Sequence, residues 1–360
     1  MNGKRRTPNS SYNIFSDDNE NTKQKSLKYK PNAKNKKKHM SIPKMIITDV
    51  IVFGIALCTF AYFHHVRPLN ASSSGQDLPK PSPAVSQTAD NSDNSNTDTG
   101  NDEDNTLEEG DFSQKWADKF TAGDPEITDN SYKGKNVNVT VTKYQEDDIT
   151  YYVEDIYVKN IKYLKAAFAG GEYERGQSEW VLDMAEKNDA ISAITGDSYG
   201  FLTNGVVVRN GVLYRESLFE DVCKINYDGT METYEASSFD LEKLKSEGAW
   251  QVWSFGPMLL ENEEAMEEFN SSVNPKNPRS AIGYFEPGHY CFVLVDGRQP
   301  GYSSGMSLKE LSALFKELGC KTAYNLDGGQ TASMTFSDSL VNSPYNGGRK
   351  ASDIIYIADN

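Results

Sequence analysis

Four polar clusters in this 360-residue chain combine residue types that can bind or transfer charge. They are Thr195-Gly196-Asp197-Ser198-Tyr199, Asn277-Pro278-Arg279-Ser280, Val295-Asp296-Gly297-Arg298 and Asn325-Leu326-Asp327-Gly328-Gly329-Gln330-Thr331. Each borders an apolar run, so each sets a carboxylate, amide or guanidinium where a rigid strand ends, a common way for sheet folds to position reactive groups. An Asp-Gly pair alone is a turn signal, and Asp228-Gly229 is read as no more than that. Asp296-Gly297 is a turn with an anion-binding group, Arg298, beside it. Asp327-Gly328-Gly329 goes further. Its two glycines, followed by Gln330, Thr331 and Ser333, let the backbone approach a ligand closely and offer N–H groups suited to an anion.

Several chemistries are excluded on the same grounds. No GxSxG or HExxH run occurs, and of the four histidines (39, 64, 65 and 289) only His289 falls in the part expected to fold. It has no His or Cys at ligand spacing and reads as a solvent-facing strand residue. The cysteines, at 58, 223, 291 and 320, form no CxxC pair, so neither a zinc ribbon nor a dithiol redox site is supported. Cys291 and Cys320 sit in apolar, strand-like surroundings and read as core residues. No cofactor is expected. A divalent cation shared by Asp197, Asp296 and Asp327 is the alternative, since hard cations prefer oxygen ligands, but no EF-hand-like spacing accompanies it.

The elements that would carry these clusters are mostly strands. Alternating patterns predict strands at 137–141, 151–158, 190–195, 205–215 with a turn at Asn210-Gly211, and 222–234 with a turn at Asp228-Gly229. Further strands are expected over 250–260, 281–284, 289–295, 323–326, 333–336 and 353–357. Helices are predicted over 178–187, over 238–245 with Ser238 as the cap, and over 262–269. The clearest helix covers 307–318: Ser307 and Glu310 form a capping box, Leu308, Leu311, Leu314, Phe315 and Leu318 make one apolar stripe, and Gly319 ends it. Strands outnumber helices without alternating with them. The expected class is therefore α+β, a mixed, mainly antiparallel sheet core with flanking helices.

Charge is distributed unevenly. The net charge is −15, yet residues 1–44 hold twelve Lys or Arg against three Asp or Glu, leaving −24 for the remainder. A folded part that acidic is a poor nonspecific nucleic-acid binder, because such binding rests on neutralising phosphates with Lys and Arg. Residues 1–44 read as a disordered basic cytoplasmic tail. Met45–Phe63 is nineteen residues with one charge, Asp49. That length suits a membrane span, and the preceding Lys cluster sets a cytoplasmic N-terminus. Residues 45–65 are thus expected to be an uncleaved transmembrane signal anchor. Residues 66–111, rich in Ser, Asp and Asn, are expected to be a flexible polar linker. An N-terminal β-rich part over 112–184 and a main domain over 185–360 would then lie outside a single-pass cell-membrane protein.

Gly196-Asp197-Ser198-Tyr199, the stretch from Asn204 to Gly211, Ser254-Phe255-Gly256-Pro257-Met258-Leu259, the stretch from Asn277 to Gly283, Val295-Asp296-Gly297-Arg298, the stretch from Gly305 to Leu311 and the stretch from Ala323 to Gly329 occur in an order and spacing that resembles the phosphodiester glycosidase family. The resemblance covers roughly 185–358. It departs from the family pattern at Thr195, where Asn is usual, and over Gln330–Met334, where Gly-Ser-Ser-Thr-Met is usual. It implies a hydrolase acting on sugar-1-phosphodiesters of the N-acetylglucosamine type, in cell-wall polymer or exopolysaccharide metabolism. A noncatalytic, membrane-tethered carbohydrate-binding or assembly protein is the alternative. For that reaction Asp327 is the leading carboxylate and Asp197 the second. Arg279 and Arg298 are the phosphate clamp, assisted by N–H groups of Gly328 and Gly329. Asn325, Asn204 and Ser333 would hold sugar hydroxyls or the acetamido group.

Overall fold

Strands such as Tyr151–Val158 and Tyr290–Val295 are apolar on both faces, so a sheet built from them must be covered on both sides. The computed structural model, which describes residues 53–54, 75–80 and 110–360, satisfies that requirement with stacked layers. A seven-stranded sheet runs in the order 322–325, 279–286, 289–295, 149–158, 137–146, 131–133 and 126–127. One face packs the helix Leu308–Leu318 through Leu308, Leu311, Leu314 and Phe315, against Ala281, Cys291, Val293 and Ala323. The opposite face presents Val139, Ile156, Ile282, Phe292 and Tyr324 to residues of a five-stranded sheet, among them Ile194, Met334 and Ile355. That second sheet has the order 339–340, 334–336, 192–195, 353–357 and 164–168, and its outer face carries the helix Val181–Lys187. The result is helix, sheet, sheet, helix. A six-stranded sheet, in the order 76–77, 212–217, 205–209, 251–253, 222–225 and 231–234, packs the helix Leu241–Glu247 through Val206, Val252 and Leu244.

Every strand pairing among the described residues is antiparallel, so the α+β, strand-rich expectation stands while the sheets are not mixed. Residues 112–184 are not a separate layer. Strand Ile149–Val158 pairs with His289–Val295, and Leu164–Phe168 pairs with Asp353–Ile357, so this stretch supplies strands to the same sheets as the C-terminal half. The short strand Leu164–Phe168 escapes pattern reading because its Lys-Ala-Ala centre has weak strand propensity.

Other expectations are corrected by local chemistry. Residues 262–269 form no helix: Leu260–Glu261 and Glu264–Ala265 make a hairpin, with Asn262 and Glu263 both at positive φ as a two-residue turn requires. The helix after Ser238 starts at Leu241, and its cap is Asp240, whose side chain accepts from Lys243 N–H; Ser238 ends a preceding 3-10 turn. The helix Leu308–Leu318 has the predicted capping box, with Gly319 in the left-handed region closing it. Within the stretch read as a flexible linker, Gln76–Asp77 pairs with Val212–Leu213 and Leu78 is buried beside Leu213 and Leu244. An apolar side chain in a polar tract is enough to dock this piece on the sheet edge. Cys291 and Cys320 are buried free thiols 3.6 Å apart. His289 is partly buried rather than solvent-facing: it pairs with Asp155 at 2.7 Å and stacks on Tyr157 and Phe285.

The expected tail over 1–44 and the bulk of the expected anchor over 45–65 lie outside the described residues. Among the described residues no helix is long and apolar enough to cross a membrane.

Candidate functional site

The strands 322–325, 279–286 and 289–295 are neighbours, and the loops after Asn325, before Arg279 and after Val295 converge at one end of their sheet. There they enclose a cleft of about 270 Å³ whose lining includes Asn277, Arg279, Arg298, Asn325, Asp327 and Arg349. Gly328 and Gly329 line it too. Six of the nine predicted site residues therefore meet in one place: Asp327, Arg279, Arg298, Asn325, Gly328 and Gly329. Asp197, Asn204 and Ser333 do not line it.

Asp327 is the cleft's carboxylate. Its N–H donates to Gly196 O at 2.9 Å, which fixes its backbone against the Thr195–Ser198 turn. Its Oδ2 accepts from Ser198 Oγ at 3.3 Å and lies 3.9 Å from Arg349 Nη2. With 8% of its surface exposed, the carboxyl is pushed up to about 6 by burial; Thr331, Arg349 and Ser198 hold it from rising further, and the nearby Asp197 adds to the rise. An acid poised there changes charge close to neutrality. The chain after it must be glycine, because a β-carbon on Gly328 would come 2.5 Å from Pro278 O.

The two predicted arginines differ. Arg298, exposed and at φ +58°, sends Nε and Nη2 to Asn277 Oδ1 at 3.0 and 2.7 Å, with Tyr345 beside its guanidinium at 5.7 Å. It is oriented but accessible. Arg279 is 2% exposed, and its Nε and Nη2 are occupied by the carbonyls of Met306, Val273, Asn274 and Pro275. Burial and the adjacent Arg298 lower it to about 10. It braces the loop at 273–279 more than it reaches for a ligand. Of the two glycines, Gly329 donates its N–H to Pro278 O at 2.9 Å, while Gly328 N–H has no protein acceptor among the described residues. Asn325 donates from Nδ2 to Gly256 O at 2.8 Å, and its buried Oδ1 has no partner among the described residues.

Asp197 sits behind the cleft. It is 1% exposed; Oδ1 accepts from Tyr199 N–H at 2.9 Å and Oδ2 lies 3.0 Å from Arg209 Nη2. The same Arg209 nitrogen is 2.8 Å from Asp353 Oδ2. One guanidinium is thus shared by two buried carboxylates, and burial raises Asp353 against the pull of Arg209. Asn204 is exposed on another loop, with Ser217 Oγ at 3.4 Å. Ser333 lines a neighbouring cavity. Asp296 is buried and taken up by Asn342, Ser343 N–H and Tyr302, a loop pivot. Among the described residues no group of three or more His, Cys, Asp or Glu side chains is placed to hold a metal ion.

Arg349, Arg209, Asp353 and Ser198 carry no signal in the sequence that marks them as neighbours of the cleft. Arg209 and Ser198 lie inside recognisable motifs, but their partners Asp353 and Asp327 are 144 and 129 residues away. Arg349 follows two glycines in a polar loop that carried no recognisable pattern. Two of the positions that depart from the family pattern have structural work: Thr195 Oγ1 donates to Thr331 O at 2.6 Å, and Gln330 Nε2 donates to Gly348 O at 3.0 Å.

Residues 183–358 match the family model described as phosphodiester glycosidase. The SPbeta prophage-derived uncharacterized protein YomE of Bacillus subtilis (strain 168) is 31% identical over 185 residues, which is 48% of this chain and 28% of that protein. This chain therefore spans well under two thirds of that relative. Among solved structures, the zebrafish N-acetylglucosamine-1-phosphodiester alpha-N-acetylglucosaminidase catalytic domain, auto-inhibited by its pro-peptide, aligns with a TM-score of 0.49 at 20% identity over 62% of this chain and 83% of that one. A hypothetical protein from Synechocystis aligns with a TM-score of 0.42 at 14% identity over 62% of each chain.

Proposed function

We propose, from the premise that residues 183–358 form a domain of the phosphodiester glycosidase family, that the Asp327 cleft hydrolyses a sugar-1-phosphodiester. The observation that carries this reading is the juxtaposition in one cleft of a carboxylate raised to about 6 with two accessible guanidinium groups, Arg298 and Arg349. The chemistry needs both. A phosphate monoester leaves readily, so clamping its charge matters more than protonating it, while the oxocarbenium-like carbon still requires a carboxylate. Arg298 and Arg349 bind the phosphate oxygens, with Gly328 N–H assisting. Asp327, once ionised, stabilises C1 as nucleophile or takes a proton from the attacking water. The C1–O bond breaks with its electron pair going to the phosphate, and the water oxygen ends on the anomeric carbon. Asn325 Oδ1 accepts from a sugar hydroxyl or acetamido N–H. Asp197 acts on Asp327 through the turn it shares with Gly196.

The N-terminal sequence supports a setting for this activity. Met45–Phe63, apolar and preceded by a Lys-rich stretch, supports a membrane-anchored enzyme facing outward onto cell-wall polymer or exopolysaccharide. The test is an assay of the purified protein on a chromogenic α-N-acetylglucosaminyl phosphodiester. Release is expected from the wild type and lost in Asp327→Asn at unchanged fold. Retained polysaccharide binding without turnover on any sugar-1-phosphodiester would instead establish the noncatalytic carbohydrate-binding reading.

A further inference from the structure

Beside the Asp327 cleft lies a second cavity of about 240 Å³, and the two differ in chemistry. The first brings Arg279, Arg298 and Arg349 to Asp327. The second is lined by Trp180, Leu182, Leu340 and Pro344, with Asp183 and Ser333 as polar groups. Trp180 precedes the helix Val181–Lys187 with an extended backbone and keeps 42% of its surface exposed at the cavity. The Ser333 backbone is held, its N–H donating to Thr195 Oγ1 at 3.1 Å, while its hydroxyl has no protein partner among the described residues.

One loop separates the cavities. Gly348 borders the second, and a β-carbon there would lie 3.4 Å from the Trp180 ring. The next residue, Arg349, borders the first, and Gln330, also in the first, donates to Gly348 O. A ligand bound beside Asp327 therefore needs to pass only the 347–349 loop to reach Trp180.

A pyranose ring offers an apolar C–H face and an equatorial rim of hydroxyls. An exposed indole flanked by Leu and Pro suits the face, because aromatic rings bury large areas with few rotatable bonds. Asp183 and Ser333 can accept from and donate to the rim. We propose that this cavity is a second saccharide subsite, so that the substrate is an oligomeric or polymeric sugar phosphodiester in which a neighbouring sugar rests on Trp180 while the scissile phosphodiester lies at Asp327. This rests on the hydrolase reading above and narrows its substrate class.

The experiment compares two probes on the full chain: a one-sugar chromogenic N-acetylglucosaminyl phosphodiester, and a synthetic trimer of N-acetylglucosamine-1-phosphate repeats. Trp180→Ala is expected to raise KM for the trimer about tenfold, equivalent to about 1.4 kcal/mol, and to leave kcat/KM for the one-sugar diester unchanged. Trp180→Phe is expected to recover most of the loss. An equal loss on both probes, or an unchanged KM for the trimer, overturns the subsite. A binding measurement keeps this separate from failure of the hydrolase reading. By titration calorimetry, the trimer should bind Asp327→Asn about tenfold more tightly than Asp327→Asn combined with Trp180→Ala. Equal affinities overturn the subsite whether or not the wild type turns over.

Discussion

Asp327 holds a position that is costly for a charged group. Its carboxyl is raised from 3.8 to about 6, chiefly by burial, so its ionised form at neutral pH is disfavoured by the fold that holds it. The unfolded chain ionises first, and stability falls as pH rises from about 4 to about 6, then stays level. Asp327→Asn should therefore stabilise the protein at pH 7, by up to about 3 kcal/mol, while lowering kcat/KM on a sugar-1-phosphodiester by roughly 10²- to 10⁴-fold. Thermal unfolding and steady-state kinetics on one preparation check both signs. The wild-type kcat/KM should rise with pH through about 6, and Arg349→Met should move that limb to higher pH, since Arg349 helps hold the carboxyl down. A limb that stays in place would separate Arg349 from Asp327. For the phosphate, Arg298→Ala should raise KM at least tenfold. Arg298→Lys should recover little, because the planar fork that Asn277 orients has no equivalent in an ammonium group.

At the scale of elements, what local chemistry dictates was readable and what distant contacts dictate was not. The helix Leu308–Leu318 is the clear case: Ser307, Glu310 and Gly319 are adjacent in sequence, and each makes the hydrogen bond or adopts the φ its type predicts. Ser307→Ala should cost about 1 kcal/mol of stability, measured by urea unfolding, with the loss confined to capping since the helix's apolar stripe is untouched. The acidic stretch over 262–269 shows the opposite. Its Glu-rich composition favours helix, yet the cross-strand pair Leu260–Ala265 and the left-handed Asn262-Glu263 turn prevail because Leu260 is buried beneath the helix Leu308–Leu318. The site divides in the same way. That Asp327, Arg298 and Asn325 share one cleft is legible because each sits at or just past the end of a strongly patterned strand. The diversion of Arg279 to four carbonyls, and the sharing of Arg209 between Asp197 and Asp353, depend on where remote loops fold back.

Across the whole molecule, stacking two sheets face to face leaves little room for charge, and Glu154 is a carboxylate buried there without an ion-pair partner among the described residues. It lies on strand Ile149–Val158 opposite Val141 and Phe292, fully buried, and neither of its carboxyl oxygens finds a hydrogen-bond partner among the described residues. Burial raises it from 4.5 to about 8, with the Ser192 hydroxyl only partly opposing the shift. The folded protein thus keeps Glu154 protonated across a range in which the unfolded chain has already lost that proton. Fewer protons bound in the unfolded state mean that stability declines as pH rises from about 4.5 to about 8, and is level above. Asp327 and Asp353 titrate with the same sign, so the informative quantity is the difference between wild type and Glu154→Gln at each pH. At pH 5 the difference should be small, because the decline that begins near pH 4.5 has only just started there. By pH 8 the glutamine variant should be the more stable by a few kcal/mol, read from urea midpoints at constant ionic strength. A difference that stays constant between pH 5 and pH 8 would mean that water or a partner group already accommodates the charge between the sheets.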